Sequence, residues 1–258
     1  MSLCQTFRQL SFNTWSFLEK ARRISHQPLE ETVTDNNIVE LKLKHTHEVL
    51  TKTYNRLQEA VTGADWQWWF TNRKKTAWYG VRIQAKILKF KTDRFEALNY
   101  KNQTDVLIND ATTNGLVPLY CFYAHWPLST SVQANNCRTF SNSPESYGCS
   151  IVDAYSIKSN KGISGSDSLT SVISDAFPWS CLVCCQGTIQ DPSTDLPNRL
   201  KSFIDNVILE GKTNNIPRPQ VLDAPPEHII ALIQGEGENY EHDDRNLAGV
   251  VVVIDNDG

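Results

Sequence analysis

The chain has 258 residues, 40% of them hydrophobic and 10% aromatic, and a net charge of −4. This is the composition of a globular protein, long enough for one large domain or a small core with an elaborated C-terminal half. No stretch approaches the roughly 20 apolar residues that span a bilayer, and residues 1–10 lack the apolar core of a secretion signal; no membrane association is expected, and the cytoplasm is the expected location.

Residues 6–25 predict a helix, with Phe12, Trp15, Phe17, Leu18 and Ala21 forming a broad apolar face. Pro28 marks a fresh start, and Glu30 and Glu31 suit the first turn of a second helix running to Lys44. Glu48 to Tyr54 alternates as a strand does, and Asn55 to Ala60 predicts one helical turn. Ala64 to Phe70, crowded with Trp66, Trp68, Trp69 and Phe70, predicts a strand. The basic stretch Thr71 to Thr76 makes a hairpin connection to the long partner strand Trp78 to Phe90. Phe95 to Thr113 predicts a helix ending at Asn114-Gly115, and Leu116 to Tyr123 a buried strand.

Helix, three-strand antiparallel meander, crossover helix and parallel strand make an α/β unit. Beyond it, Ser129 to Ser146 predicts an irregular excursion, and short helices are predicted at Tyr147–Ile157, Leu169–Asp175, Leu196–Ile208 and Pro226–Ile233. Ala248–Ile254 reads as a final buried strand. No internal repeat is present. The expected organisation is a single domain over residues 1–258, with a core at about 28–124 and a C-terminal α/β elaboration at about 125–258.

The net charge hides an asymmetry. Residues 1–100 hold 16 Lys/Arg against 10 Asp/Glu, a balance of +6, whereas residues 101–258 hold 9 against 19, a balance of −10. Arg22, Arg73, Lys74, Lys75, Lys89 and Lys91 of the basic stretch are candidates for phosphate contacts.

Within that stretch lie Gly63-Ala64-Asp65-Trp66 and Gln84-Ala85-Lys86. Residues i and i+2 of a strand share a face, so Gln84 and Lys86 point together while Ile83, Ala85 and Ile87 point the other way. If Asp65 projects to that face, a carboxylate, an amide oxygen and an ammonium surround one point, a set able to hold a divalent cation and a water beside a phosphodiester. An ammonium at Lys86 in so apolar a strand needs a reason. Trp66, Trp68, Trp69 and Trp78 could stack unpaired bases, although packing into the core is their default role.

A leading helix with a Glu, an Asp at the second strand and Gln-x-Lys in the third resembles the PD-(D/E)xK, or restriction-endonuclease-like, nuclease superfamily in its Gln-x-Lys subgroup. The resemblance covers about residues 28–124. Local phrases such as Glu30-Glu31-Thr32-Val33-Thr34-Asp35 and Pro118-Leu119-Tyr120-Cys121-Phe122-Tyr123 also look like a bacterial protein family of unknown function.

The nuclease resemblance implies Asp65 as the metal-binding aspartate, with Ala64 where many members have Pro. It implies Gln84 in the second acidic position, offering a carbonyl oxygen without charge, and Lys86 as the lysine that orients the attacking water. Glu31, in preference to Glu30, would be the leading-helix glutamate, and the backbone carbonyl of Ala85 a further metal ligand. Mg²⁺ or Mn²⁺ is the implied cofactor, nucleic acid, DNA first, the implied partner, and a homodimer is compatible. The implied activity is phosphodiester hydrolysis, in a bacterial restriction or anti-phage setting. The alternatives are a catalytically silent nucleic-acid-binding or interaction module, and a zinc-stabilised regulatory protein.

Seven cysteines without a secretion signal read as reduced thiols. Cys181-x-x-Cys184 with Cys137 and Cys149 could make a four-thiolate zinc site. The gap from Cys137 to Cys149 is long for a zinc-knuckle pair, and Trp179, Leu182 and Val183 suggest burial, so Cys181 and Cys184 are expected buried, reduced and metal-free. No nucleophile signature supports Cys149 or Cys121 with His125 as a hydrolase pair.

Overall fold

A computed structural model describes residues 1–54, 64–98, 100–135, 137, 139–140, 143–185, 191, 194–212, 215–235 and 247–256. The turn expected at Asn55 to Ala60 lies outside them. The chain opens with α1 (Leu3–Arg23) and α2 (Glu30–Lys44). Strands β1 (Val49–Thr53), β2 (Trp66–Asn72) and β3 (Trp78–Ile87) precede α3 (Gln103–Thr113) and β4 (Val117–Tyr123). There follow β5 (Cys149–Asp153), α4 (Ala154–Ser159), α5 (Leu169–Ser174), β6 (Phe177–Pro178), α6 (Cys181–Cys184), α7 (Leu196–Phe203), α8 (Glu227–Gln234) and β7 (Gly249–Asp255). No helix among the described residues is long and apolar enough to cross a membrane.

The fold is mixed α/β, and among the described residues seven strands form one mixed sheet ordered β1-β7-β2-β3-β4-β5-β6. The three-strand meander expected from the sequence is corrected here, because β7 lies between β1 and β2. It pairs antiparallel with β1 and parallel with β2. Composition explains the placement. Gly249 to Asp255 is buried at every residue and carries five consecutive apolar side chains, as a strand covered on both faces must. β1 is only partly buried along most of its length, which suits an edge.

Two further expectations change. The helix predicted from Phe95 begins only at Gln103, since Ala97, Lys101 and Asn102 have φ of 60°, 49° and 61°, values no right-handed helix accommodates. The helix predicted at 147–157 is split. Cys149 to Asp153 pairs antiparallel with β4 as a strand, and the Asp153 carboxylate then caps α4 by accepting from the Ser156 N–H at 2.9 Å.

The chain divides into two compact units. The first comprises Met1–Leu41, Ala85–Asp105 and Leu119–Cys185; the second comprises Lys42–Gln84, Val106–Pro118 and Gln186–Gly258. In the first, α1 buries Leu3, Phe7, Leu10, Trp15 and Leu18. Trp179 packs its ring at a tilt against Phe7, centroids 4.8 Å apart, and donates its indole N–H to the Phe7 carbonyl at 2.7 Å. Gly148 passes so close to α1 that a Cβ there would lie 2.0 Å from the Ser11 carbonyl oxygen. In the second, Trp69, Trp78, Ala111, Leu116, Ile229 and alternate residues of β7 form one cluster. These residues share one sheet face, with α3 and α8 supplying the cover.

Candidate functional site

The β2–β3 hairpin sets the register of the site. Its turn is closed by the Lys75 N–H on the Asn72 carbonyl at 2.9 Å, the Thr76 N–H on Asn72 Oδ1 at 3.0 Å and the Thr71 hydroxyl on the Ala77 carbonyl at 2.9 Å. From there Thr71 pairs with Trp78 and, one residue at a time, Trp66 with Ile83. One step further, the Asp65 N–H donates to the Ile83 carbonyl at 2.9 Å. Asp65 therefore stands opposite Gln84, and Gln84 Nε2 donates to Asp65 Oδ2 at 2.6 Å. Gln84 is buried and Asp65 half-buried. A hydrogen bond to a charged acceptor in such a place contributes about 1.5–3 kcal/mol.

The same face carries a second polar pair that sequence reasoning missed. Arg82 lies two residues before Gln84, is 1% exposed, and places its Nε 2.9 Å from an Asp110 carboxylate oxygen on α3. Opposite Arg82 in the register is Gln67, also buried. An arginine in the middle of an apolar strand was the available signal, because a guanidinium there requires a buried acid to meet it. Along this face the polarity falls from Asp65–Gln84, through Gln67 and Arg82–Asp110, to Trp69 and Trp78. Trp66, Trp68, Trp69 and Trp78 are all at most 4% exposed, so they build the core and offer no free face to a base.

In the first unit, α2 meets the end of β3. Glu30 accepts the Ile87 N–H on Oε2 at 3.1 Å, and Gln27 accepts the Phe90 N–H at 2.9 Å. Glu31, the glutamate expected to complete the site, is exposed, while Glu30 is half-buried. Consecutive helical residues diverge by about 100°, so only one of the two can face the strand. The residue that does so is Glu30. Lys86 is half-buried, while Ala85 and the rest of β3 are buried.

The cysteines follow another logic. Cys4 on α1 and Cys184 on α6 form a disulfide, which corrects the expectation of a reduced Cys184. Cys181 is buried and free as expected, and its sulfur lies with those of Cys137 and Cys185 in a group all within 4.8 Å of one another. Cys149 belongs to a separate nest, donating to the Thr14 hydroxyl at 3.3 Å and accepting from Asn37 Nδ2 at 3.5 Å. Burial pushes its thiol up to about 12 and raises that of Cys121 well above the usual range. Burial, followed by the Arg22 charge, holds His125 below its ordinary value. These are neutral packing groups rather than an activated thiol and its base.

The sequence profile of a family of unknown function (DUF6615) matches residues 3–258. No curated protein matches the chain.

Proposed function

We propose that this chain, a member of the DUF6615 family of unknown function, is a metal-dependent nuclease that hydrolyses phosphodiester bonds of nucleic acid, DNA first. The observation that carries the reading is the Asp65–Gln84 pair, held at 2.6 Å across adjacent antiparallel strands, with Lys86 two residues on along the same face of β3. Unlike the buried Gln67 and Arg82 on the same face, Asp65 and Lys86 keep partial exposure, which leaves a carboxylate and an ammonium open to a ligand.

The donor set suits a hard cation. Asp65 would bind Mg²⁺ or Mn²⁺ through a carboxylate oxygen, and the Gln84 amide, turned by half a rotation, would present its oxygen beside it; the Ala85 carbonyl is a third oxygen in the same segment. Such an ion supplies charge neutralisation at the phosphate and a water of lowered pKa. Lys86 orients the attacking water and shares the negative charge that accumulates on the phosphoryl oxygens. Glu30, rather than the expected Glu31, is the helix residue that fixes β3, by accepting the Ile87 N–H. With one carboxylate at the Asp65–Gln84 pair, cation affinity is low until a substrate phosphate adds its oxygens.

Phosphate grip follows from the strand geometry. The exposed tip Arg73-Lys74-Lys75 is separated from Asp65 by most of a strand, about 25 Å at 3.4 Å per residue, too far to hold the scissile phosphate. Lys89 and Lys91 come just after Lys86, and they are the better candidates.

A second reading is favoured by Glu30, whose carboxylate is engaged by backbone: a nucleic-acid-binding module that keeps the hairpin without cleaving. Labelled DNA and RNA incubated with Mg²⁺, Mn²⁺ or chelator separate the two. Metal-dependent products that vanish in Lys86→Ala while binding persists support the nuclease; binding without products under every metal supports the module.

A further inference from the structure

Five of the seven cysteines gather on two short stretches of the first unit and the start of α1. Cys137 Sγ and Cys185 Sγ are 2.9 Å apart, closer than two unbonded sulfurs pack, and Cys181 completes a triangle with no edge above 4.8 Å. Tetrahedral zinc with Zn–S of about 2.3 Å sets its sulfurs about 3.8 Å apart, inside that range. All three side chains are at most 7% exposed. Cys184 stands next to Cys185 in the chain and one helical turn from Cys181, whose carbonyl accepts the Cys185 N–H at 3.3 Å.

We propose that Cys137, Cys181 and Cys185 are ligands of a zinc ion and that Cys184 is the fourth once a dithiol reductant has opened its bond to Cys4. The disulfide takes two electrons and two protons from the dithiol, which leaves as its own cyclic disulfide, giving free Cys4 and Cys184 thiols. Zinc then displaces one proton to solvent from each of its four thiol ligands. The ion ties α6 to the chain at Cys137, while the oxidised form ties α6 to α1 instead. One cysteine thus serves two mutually exclusive staples.

The test loads full-length protein with zinc after dithiothreitol treatment and anaerobic desalting, then measures metal per chain. One equivalent is expected in the parent and in Cys121→Ser, less than a tenth in Cys137→Ser, Cys181→Ser and Cys184→Ser, and one equivalent without any reductant in Cys4→Ser. Because a ligand variant can lose zinc by unfolding, the parent is also alkylated with and without chelator. Chelator should expose Cys137, Cys181, Cys184 and Cys185 together and leave the labelling of Cys121 unchanged. No zinc in the reduced parent, bound iron in its place, or a chelator-independent labelling pattern would overturn the site. A full equivalent bound with Cys4–Cys184 still oxidised would overturn the assignment of Cys184.

Discussion

In the second unit the polar groups of β3 meet partners that strand register brings to them, whereas in the first unit polar and sulfur atoms meet across long stretches of chain. Asp65 reaches Gln84 because one hairpin counts them into opposition, and Arg82 reaches Asp110 on the helix that follows β3. In the first unit, Glu30 meets Ile87 across 57 residues, Asn37 meets Cys149 across 112, and Cys4 is bonded to Cys184 across 180. The difference teaches that chemistry built on register can be anticipated from a strand's period of two, while chemistry built on tertiary closure cannot.

The largest effect expected is on activity. Lys86→Ala should lower Mg²⁺-dependent cleavage by about 10²–10³-fold, the size of loss seen when one transition-state donor is removed, with unchanged thermal unfolding and nucleic-acid binding at fixed salt. Glu31→Ala should retain most activity because that side chain is exposed. Equal losses in both variants would mean that the face of β3 does not define the site.

Next in size is the buried ion pair. Asp110→Ala should destabilise the protein, by up to about 3–5 kcal/mol, by removing a carboxylate 2.9 Å from the buried Arg82 guanidinium, read from urea unfolding. The double variant Arg82→Met/Asp110→Leu should recover most of that loss. If the single variant were neutral, register-made pairs would be ornaments of this fold rather than supports.

Gly148→Ala probes the first unit in the same way. Its Cβ would strike the Ser11 carbonyl and the Trp15 nitrogen, backbone atoms of α1, and should cost about 3 kcal/mol, the upper end of overpacking. Gly80→Ala in the second unit meets mainly the Leu116 side chain at 2.3 Å, which can turn aside, so a smaller shift in unfolding midpoint is expected.

The smallest effect is a pH slope. Burial raises Cys149 from its ordinary 9.0 to about 12, so above pH 9 the folded chain keeps a proton that the unfolded chain has lost. Its contribution is complete below pH 9 and declines as pH rises toward about 12. Urea unfolding at about pH 8 and about pH 10.5 should show a steeper loss for the parent than for Cys149→Ala.

Much of the candidate site was legible. Gln84 and Lys86 had to share a face once the strand was recognised, and the aromatic run from Trp66 fixed the partner strand that carries Asp65. The choice between Glu30 and Glu31 was not, since it depends on where α2 begins to wind relative to β3. Arg82 was visible as an arginine among apolar residues, but its acid, 28 positions away on α3, had to be found in space. The stretch from Cys149 is ambiguous in sequence, because Ile151, Ala154 and Ile157 also fit helical spacing, and only pairing with β4 decides between the two periods.

The sequence by itself determined the strands and helices with strong local periodicity, the existence of the hairpin, and the face shared by Gln84 and Lys86, because each depends on residues within a few positions. Only the tertiary structure decided that β7 enters between β1 and β2, that Glu30 rather than Glu31 reaches β3, and that the sulfurs of Cys137, Cys181 and Cys185 meet. Those outcomes hinge on which distant segments bury one another's apolar and backbone groups, a competition whose terms are summed over the whole chain and written in no single stretch of it.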